Sequence, residues 1–202
     1  MTPAQTTVQT HTPAAALDLA PTVCRLYRDV FSLPPFLGDE DEFQNQHSYY
    51  HDMLQRPGFL LTTAQDGNQP IGFSYGYLLP QDTTWWRNLS AKLPAEFTHE
   101  TGQRTFALID FGVIPGHRGK GIGRAIEQAT LKQTHAERAT LTVQRKASDT
   151  QQIYLHWGWQ NVGEKEGNLG GRPVVFDVYA LTLTDPARSN QTDAPAETDQ
   201  RR

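Results

Sequence analysis

The most informative chemistry in the sequence lies in a glycine-rich segment, Arg118-Gly119-Lys120-Gly121-Ile122-Gly123, which follows an apolar strand and opens a helix. The first backbone N–H groups of a helix have no partner within it, and the helix dipole adds a partial positive charge there. The glycines let the backbone approach a bulky anion closely, and Arg118, Lys120 and Arg124 add positive charge. The segment therefore predicts a binding site for a pyrophosphate group.

The spacing within this segment argues against two common nucleotide-binding motifs. A Walker loop requires Ser or Thr after Gly-Lys, whereas Gly121 follows Gly119-Lys120. The dinucleotide-binding fingerprint requires a third glycine where Arg124 stands. The dinucleotide-binding fingerprint also follows an early strand of its domain, whereas two or three predicted strands precede the glycine-rich segment of this chain.

At these residues the chain resembles the GNAT superfamily of acyl-CoA-dependent N-acyltransferases, whose central signature is Arg/Gln-x-x-Gly-x-Gly/Ala. The signature is fitted by Arg118 to Gly123, and Ile153-Tyr154-Leu155-His156-Trp157-Gly158-Trp159 resembles the later Leu-Tyr-x-x-x-Gly-Phe element. The resemblance covers about residues 17–183 and is strongest over 105–163. It implies an α/β, GNAT-like fold with a mixed, mostly antiparallel central sheet that is split at the cofactor site and flanked by helices.

The resemblance also implies an enzyme, an acetyl-CoA-dependent N-acetyltransferase that acts on a primary amine by direct attack in a ternary complex. In the family, the strand before the signature helix contacts the pantetheine arm and thioester through its backbone. Ser148 stands where many members carry Asn, six residues before the tyrosine, and so departs from the pattern. The positions assigned to the cofactor are Phe111, Gly112, Val113, Arg118, Gly119, Lys120, Gly121, Ile122, Gly123, Arg124 and Ser148.

Two residues are expected to be catalytic. Tyr154 falls on the family tyrosine that often protonates the leaving thiolate; the alternative is an aromatic packed beside Trp157 and Trp159. Asp110 is the only acidic residue on its strand, among apolar neighbours, and is expected to act as the base or to position a water. The alternative for Asp110 is a salt bridge or a strand-edge hydrogen bond, and a β-bulge would change the face that it occupies.

Recognition of the acceptor amine is assigned to Tyr75, Tyr77, Trp85, Trp86 and Asp110, with the acidic run 39–42 as a further candidate. Aromatic rings and carboxylates suit an organic cation. Core packing remains the alternative for the tyrosines, and a solvated helix start remains the alternative for the acids. The two tryptophans either cover the acceptor site or pack against another subunit.

The acceptor itself stays open at this stage. A small cationic amine is expected, such as a cationic antibiotic (an aminoglycoside, for example), a polyamine or an amino-acid-like amine. The alternatives are a protein N-terminal or lysine acetyltransferase, a non-catalytic acyl-CoA-binding or regulatory module, and a structural domain without a cofactor.

Periodicity and turn residues predict one domain at 15–183 between disordered tails at 1–14 and 184–202. The expected order is helix, helix, three strands, helix, strand, helix, two strands. The expected helices are 17–32, 39–54, 119–135 and 148–156, and the expected strands are 58–64, 70–79, 105–113, 139–143, 158–163 and 174–183.

Composition limits the classes of partner. The formal net charge of −4 and the scattered Lys and Arg argue against nucleic-acid binding. No apolar stretch is long enough to span a membrane, and the single Cys24 has no internal disulfide partner, so a cytoplasmic setting is expected. His47 and His51 lack a third ligand, so no metal is expected. A homodimer is suggested by analogy with the family.

Overall fold

A computed structural model of the protein describes residues 6–169 and 171–183, which form one seven-stranded sheet flanked by helices. The strands are β1 (Thr6–His11), β2 (Leu60–Asp66), β3 (Gln69–Leu78), β4 (Thr105–Val113), β5 (Arg138–Gln144), β6 (Gln160–Leu169) and β7 (Arg172–Thr182). The helices are α1 (Pro13–Asp18), α2 (Ala20–Phe31), α3 (Glu40–Leu54), α4 (Ala95–Thr98), α5 (Ile122–Gln133) and α6 (Ser148–His156).

The strands lie in the order β1-β2-β3-β4-β5-β7-β6, and every neighbouring pair is antiparallel except β4 and β5. That parallel pair is short, with residues 105–107 opposite residues 138–140. The two strands then separate, so the remaining halves of β4 and β5 line a gap in the sheet. The predicted fold class, a mostly antiparallel sheet that is split in the middle, is confirmed.

Helices cover both faces of this sheet. On one face α2 and α3 pack against β3, where Phe73 and Tyr75 are fully buried. On the other face α5 packs so closely that a Cβ on Gly72 would meet the Ile126 side chain at 2.8 Å. Alternate residues of β3 therefore contact opposite helical layers, as strand geometry requires.

Local sequence features explain why α2 and α3, the two helices that approach the gap, form. In α2 the buried residues Val23, Leu26, Tyr27 and Val30 recur at helical spacing. In α3 the Asp39 side chain caps the helix by accepting a hydrogen bond of 3.0 Å from the backbone N–H of Glu42. Acidic residues fill the first turn of α3, where the helix dipole favours negative charge.

The N-terminal prediction is wrong in part. Residues 6–11 form the edge strand β1, paired in register with β2, and residues 13–18 form α1, although 1–14 were expected to be a disordered tail. Threonine is β-branched and suits a strand, and here it also bonds across the pair, with Thr10 Oγ1 3.0 Å from Thr62 Oγ1. The predicted helix 17–32 corresponds to α2, and its first two residues instead end the separate helix α1. The predicted C-terminal tail lies outside the described residues.

The connection between β3 and β4 is held by a buried ion pair. Arg138 of β5 donates to the Glu100 carboxylate at 2.7 Å, and the indole N–H of Trp86 donates to the same carboxylate oxygen at 2.7 Å. The side chains of Glu100 and Trp86 are both buried. This connection therefore has a fixed path beside the gap.

Among the described helices, none has the length and apolar character required to cross a membrane.

Candidate active site

A cavity of about 240 Å³ lies in the gap between β4 and β5. Both separated strands line it, and α2, α3, α6, the β3–β4 connection and the β6–β7 hairpin complete its wall. The lining side chains that carry polar groups or aromatic rings include Tyr27, Phe31, Phe36, Glu42, Tyr49, Trp85, Asp110, Phe111, Tyr154 and Phe176. The cavity therefore joins the predicted base and the predicted acid in one space.

A β-bulge in β4 directs Asp110 into this cavity. The register pairs Tyr75 with Asp110 but Gly76 with Leu108, so Ile109 is the extra residue. Ile109 has no partner in this register, whereas Asp110 lies opposite Tyr75 and accepts a hydrogen bond from its hydroxyl, so the Asp110 side chain lies on the same side of the sheet as Tyr75. The sequence left the face of Asp110 open, and the bulge determines it.

The Asp110 carboxyl is poised to exchange a proton near neutral pH. Burial raises its pKa to about 6, and the negative charge of Glu42 acts in the same direction. Hydrogen bonding opposes this rise, because the Tyr75 hydroxyl donates to Oδ2 of Asp110. Tyr75 in turn accepts a hydrogen bond of 3.0 Å from the Gln46 side-chain amide.

The wall formed by α2 and α3 is both acidic and aromatic. The Tyr27 hydroxyl donates to the Glu42 carboxylate at 2.8 Å, and Tyr49 lines the cavity on the same side. Burial raises the pKa of Tyr27 and of Tyr49, so both phenols are neutral at physiological pH. Arg172 of β7 also reaches this wall and lies 3.4 Å from the Glu42 carboxylate.

Tyr154 occupies the side of the cavity formed by α6. Its ring packs against Phe111, Trp157 and Trp159, with centroid distances between 5.8 and 6.4 Å. Burial raises its pKa, and the negative charge of Glu127 raises it further, so the phenol keeps its proton at neutral pH. Tyr154 is thus a packed aromatic residue that lines the cavity with its phenol protonated.

The glycine-rich segment presents backbone N–H groups toward open space. Gly119 and Gly121 have φ values of +72° and +78°, which favour glycine, and a Cβ at either would meet no atom within 4 Å. Gly121 is the N-cap of α5, and the first helical hydrogen bond runs from Ala125 N–H to its carbonyl. Within residues 6–169 and 171–183, the N–H groups of 119–124 have no protein acceptor. Free N–H groups at the start of a helix are the arrangement that an anion site requires, so the predicted pyrophosphate site stays a prediction that this geometry suits.

The basic side chains of this segment are partly used by the protein itself. Nε of Arg118 donates to the Val113 carbonyl at 2.8 Å, which ties the loop to the end of β4. Arg124 pairs with the buried Glu127 carboxylate at 2.9 Å and lies over the Trp157 ring. Arg118 and Lys120, which donates to the Gly116 carbonyl at 3.0 Å, keep their positive charge because a carbonyl is neutral, whereas the charge of Arg124 is paired with Glu127.

Some residues expected at the acceptor do not reach the cavity. Tyr75 is fully buried behind Asp110, and Tyr77 stands beside Arg56, outside the lining. Trp86 does not line the cavity, because its side chain is buried and its indole N–H donates to the Glu100 carboxylate. The expectation that it contacts the acceptor is therefore wrong. Trp85 does line the cavity, with its indole N–H donating to Thr140 Oγ1 at 3.1 Å and Lys165 Nζ 4.3 Å from its ring centroid.

Other differences concern α6 and the helical wall. Ser148 is exposed at the start of α6 and does not line the cavity, whereas Thr150 does. Tyr27 and Tyr49 line the cavity but were not expected there. Their only sequence signal is that they are aromatic residues on amphipathic helices, which is equally typical of core packing.

A model of the acetyltransferase (GNAT) family matches residues 21–159, more than half of the chain. The chain belongs to the GNAT acetyltransferase family. The resemblance seen in the sequence is thereby confirmed, and with it the enzyme class. No curated protein matches this GNAT acetyltransferase in sequence.

Solved structures show the same fold at low sequence identity. NAA60 from Arabidopsis thaliana, in complex with acetyl-CoA, is 14% identical with a TM-score of 0.60, covering 89% of this chain and 99% of that chain. The ribosomal-protein-S18-alanine N-acetyltransferase from Escherichia coli is 10% identical with a TM-score of 0.60, covering 90% and 96%. Mutant forms of the spermidine/spermine N-acetyltransferase SpeG from Vibrio cholerae are 12% identical with a TM-score of 0.56, covering 88% and 94%.

Proposed function

We propose that this GNAT acetyltransferase transfers the acetyl group of acetyl-CoA to the primary amine of a small cationic molecule, by direct attack in a ternary complex. The observation that carries the proposal is the pairing of two groups in one cavity. Asp110 has a pKa of about 6 and Tyr154 keeps its proton at neutral pH, and both line the gap between β4 and β5. A base and an acid with separated pKa values are what amide formation requires.

The residues present fit acetyl-CoA. The open space above Gly119 and Gly121 admits a pyrophosphate against the start of α5, and a side chain at either position would occupy it. β4 separates from β5 beyond Ala107, so its backbone N–H and C=O groups on that side are available to an extended pantetheine arm. Acetyl-CoA supplies the acyl group as a reactive thioester.

Each proposed step uses a residue of the chain. The amine arrives mostly as an ammonium ion, and the ionised Asp110 carboxylate accepts a proton to release the free amine. As the new C–N bond forms, a backbone N–H of β4 near Val113 stabilises the negative charge on the carbonyl oxygen; one such donor is worth about 3 kcal/mol. The C–S bond breaks, and the Tyr154 hydroxyl donates its proton to the departing sulfur. The second proton of the newly acylated nitrogen then passes to the Tyr154 oxygen, directly or through water, which restores the phenol and leaves the neutral amide.

The cavity wall supports a cationic acceptor. Glu42 and Asp110 provide negative charge, while Tyr27, Tyr49 and Trp85 provide aromatic surface that attracts an organic cation. A volume of about 240 Å³ suits a single amine arm of a small molecule. Polyamines, amino-acid-like amines and cationic antibiotics are therefore the classes to compare.

The test is a thiol-release assay with acetyl-CoA and a panel of these amines, preceded by a thermal-shift titration with acetyl-CoA. A rise in melting temperature together with thiol release on one amine class supports the proposal. A rise without release on any amine or peptide indicates the alternative, a non-catalytic acyl-CoA-binding module. Release only with peptides would instead assign the enzyme to protein acetylation.

The Tyr154→Phe variant tests the proposed acid. It removes one hydroxyl and keeps the ring that packs against Trp157 and Trp159. We expect turnover to fall by about 100- to 10,000-fold, which is the usual contribution of a general acid, while acetyl-CoA affinity stays within a factor of about two. Equal turnover at saturating acetyl-CoA would exclude the acid role.

A further inference from the structure

A hydrogen-bonded chain of three side chains runs from α3 through β3 to the floor of the cavity. The Gln46 amide donates to the Tyr75 hydroxyl at 3.0 Å, and the Tyr75 hydroxyl donates to Oδ2 of Asp110. Gln46 is 4% exposed and Tyr75 is fully buried, so neither can contact a molecule in the cavity. Their polar groups are therefore directed at Asp110 and not at a substrate.

The direction of these hydrogen bonds matters for the chemistry. The Gln46 amide can only donate through its nitrogen, so the Tyr75 oxygen accepts that bond and uses its own hydrogen for Asp110. A phenol that donates to a carboxylate stabilises the ionised form. Because the chain is buried, bulk water cannot replace this bond if it is lost.

We propose that Tyr75 and Gln46 are positioning residues, which hold Asp110 in its cavity-facing orientation and keep it ionised near neutral pH so that it can accept the proton of the amine. This inference rests on the proposed function, since it concerns the base of that reaction. Without the chain, burial alone would leave Asp110 protonated over more of the physiological range.

The other titratable groups around Asp110 do not provide this stabilisation. Glu42 and Tyr49 of α3, Tyr27 of α2 and Tyr154 of α6 line the same cavity, and Glu42 carries a negative charge that disfavours ionisation.

Three cations on the elements around the cavity are directed at other groups. Arg172 of β7 lies 3.4 Å from the Glu42 and Asp39 carboxylates, and Arg56 stands over the Tyr77 ring. Lys165 of β6 lies over Trp85. Tyr75 is thus the group that favours the carboxylate form of Asp110, with Gln46 behind it.

The decisive measurement is the pH dependence of turnover for the Tyr75→Phe variant. The ring stays, so the core packing with Tyr50, Phe59 and Phe73 is kept. We expect the acid limb of the profile to move from about pH 6 to higher pH by about one unit or more. Turnover would then fall about five-fold at pH 6 and recover at pH 8, with acetyl-CoA affinity unchanged.

Two further variants separate a positioning role from a packing role. Gln46→Leu should move the acid limb in the same direction by a smaller amount, because Tyr75 keeps its hydrogen for Asp110 but loses its own donor. Tyr50→Phe is the matched control: it removes a buried phenol hydroxyl next to Tyr75, but that hydroxyl donates to the Ala16 carbonyl at 2.9 Å. Its acid limb should coincide with that of the unmodified enzyme.

The possible results distinguish the inference from the proposed function. If Asp110→Asn keeps full turnover, the assignment of the base fails, and with it the role of the chain. If Asp110→Asn abolishes turnover while Tyr75→Phe keeps the acid limb near pH 6, the inference alone is overturned. A uniform loss of turnover by Tyr75→Phe at every pH would also overturn it, because a structural defect has no such pH signature.

Discussion

Replacing Asp110 with Asn is expected to stabilise the folded protein at neutral pH while it removes the proposed base. Burial raises the pKa of this carboxyl from its ordinary value of 3.8 to about 6, because the folded state solvates the carboxylate less well than water does. Asn has nearly the same shape, carries no charge and still accepts the hydrogen bond from Tyr75. The substitution should therefore relieve the cost of a buried charge and keep the packing.

The magnitude follows from the two pKa values. One pH unit corresponds to about 1.4 kcal/mol, so a pKa raised from 3.8 to about 6 lowers the free energy of unfolding by about 3 kcal/mol once Asp110 is ionised. The folded pKa is the higher one, so the loss is absent below about pH 3.8, builds up between the two values and is complete above about pH 6. The advantage of the Asp110→Asn variant should follow the same window.

Urea denaturation of both proteins between about pH 4 and pH 8, with equal m-values, measures this difference directly. The Asp82→Asn variant is the control, because Asp82 is exposed on the β3–β4 connection and its replacement should change stability by less than about 0.5 kcal/mol at every pH. An Asp110→Asn variant that is no more stable than the unmodified protein at about pH 8 would refute the reasoning, since Asp110 would then carry no cost of burial.

Two further predictions concern the loop and the paired tryptophans. Gly121→Asp should weaken acetyl-CoA binding by more than about ten-fold through charge repulsion, measured as the Kd in an equilibrium titration. Gly102→Asp is the control, because Gly102 has a similar positive φ and equally open surroundings but is remote from the loop. It should leave the Kd unchanged. Trp86→Phe should lower the free energy of unfolding by about 1–3 kcal/mol, because it leaves the buried Glu100 carboxylate without one donor, and should keep the KM for the amine. Trp85→Phe should instead raise that KM by about 2- to 5-fold through a weaker cation–π contact; an unchanged KM would remove Trp85 from the acceptor site.

The local structure around the proposed cofactor site was predictable because it depends on residues that are adjacent in the sequence. A strand, a glycine turn and a helix start follow one another from Thr105 to Gln133, and the anion site depends on backbone groups that the turn itself exposes. The extent of β4 and the position of α5 agree closely with expectation. The contacts of the two arginines were less predictable. Arg118 donates to the carbonyl of Val113 at the end of β4, and Arg124 pairs with the Glu127 carboxylate.

The acceptor side was harder to predict because it depends on register and on contacts between distant parts of the chain. The face of Asp110 follows from one bulged residue, Ile109, and no local pattern marks that position. Tyr27 of α2 and Glu42 of α3 line the cavity together with residues of β4 that are more than 60 positions away in the sequence. Tyr75 has the right residue type, but the sequence could not show that it stands behind the base and not beside the substrate.

The N-terminal strand β1 shows a different limit. Its sequence, TTVQTH, is mostly polar, and composition alone favoured disorder. Pairing with β2 provides the stabilisation that composition does not reveal. The backbone hydrogen bonds and the contact between Thr10 and Thr62 both depend on this distant strand, and Thr62 lies 52 residues from Thr10. Threonine-rich edge strands of this kind are recognised only once their neighbour is known.

The burial that lowers stability at Asp110 also suits this carboxyl to its proposed role as a base. A carboxylate with a pKa of 3.8 is a weak acceptor for the proton of an ammonium ion, whereas one near 6 is a better base and is still ionised at neutral pH. Residues of α2 and α3 contribute to that burial. The hydrogen bond from Tyr75 limits the resulting rise in the pKa of Asp110. Substitutions in those two helices should therefore change the preferred amine and the pH dependence together, while substitutions in the loop that precedes α5 should change acetyl-CoA affinity alone.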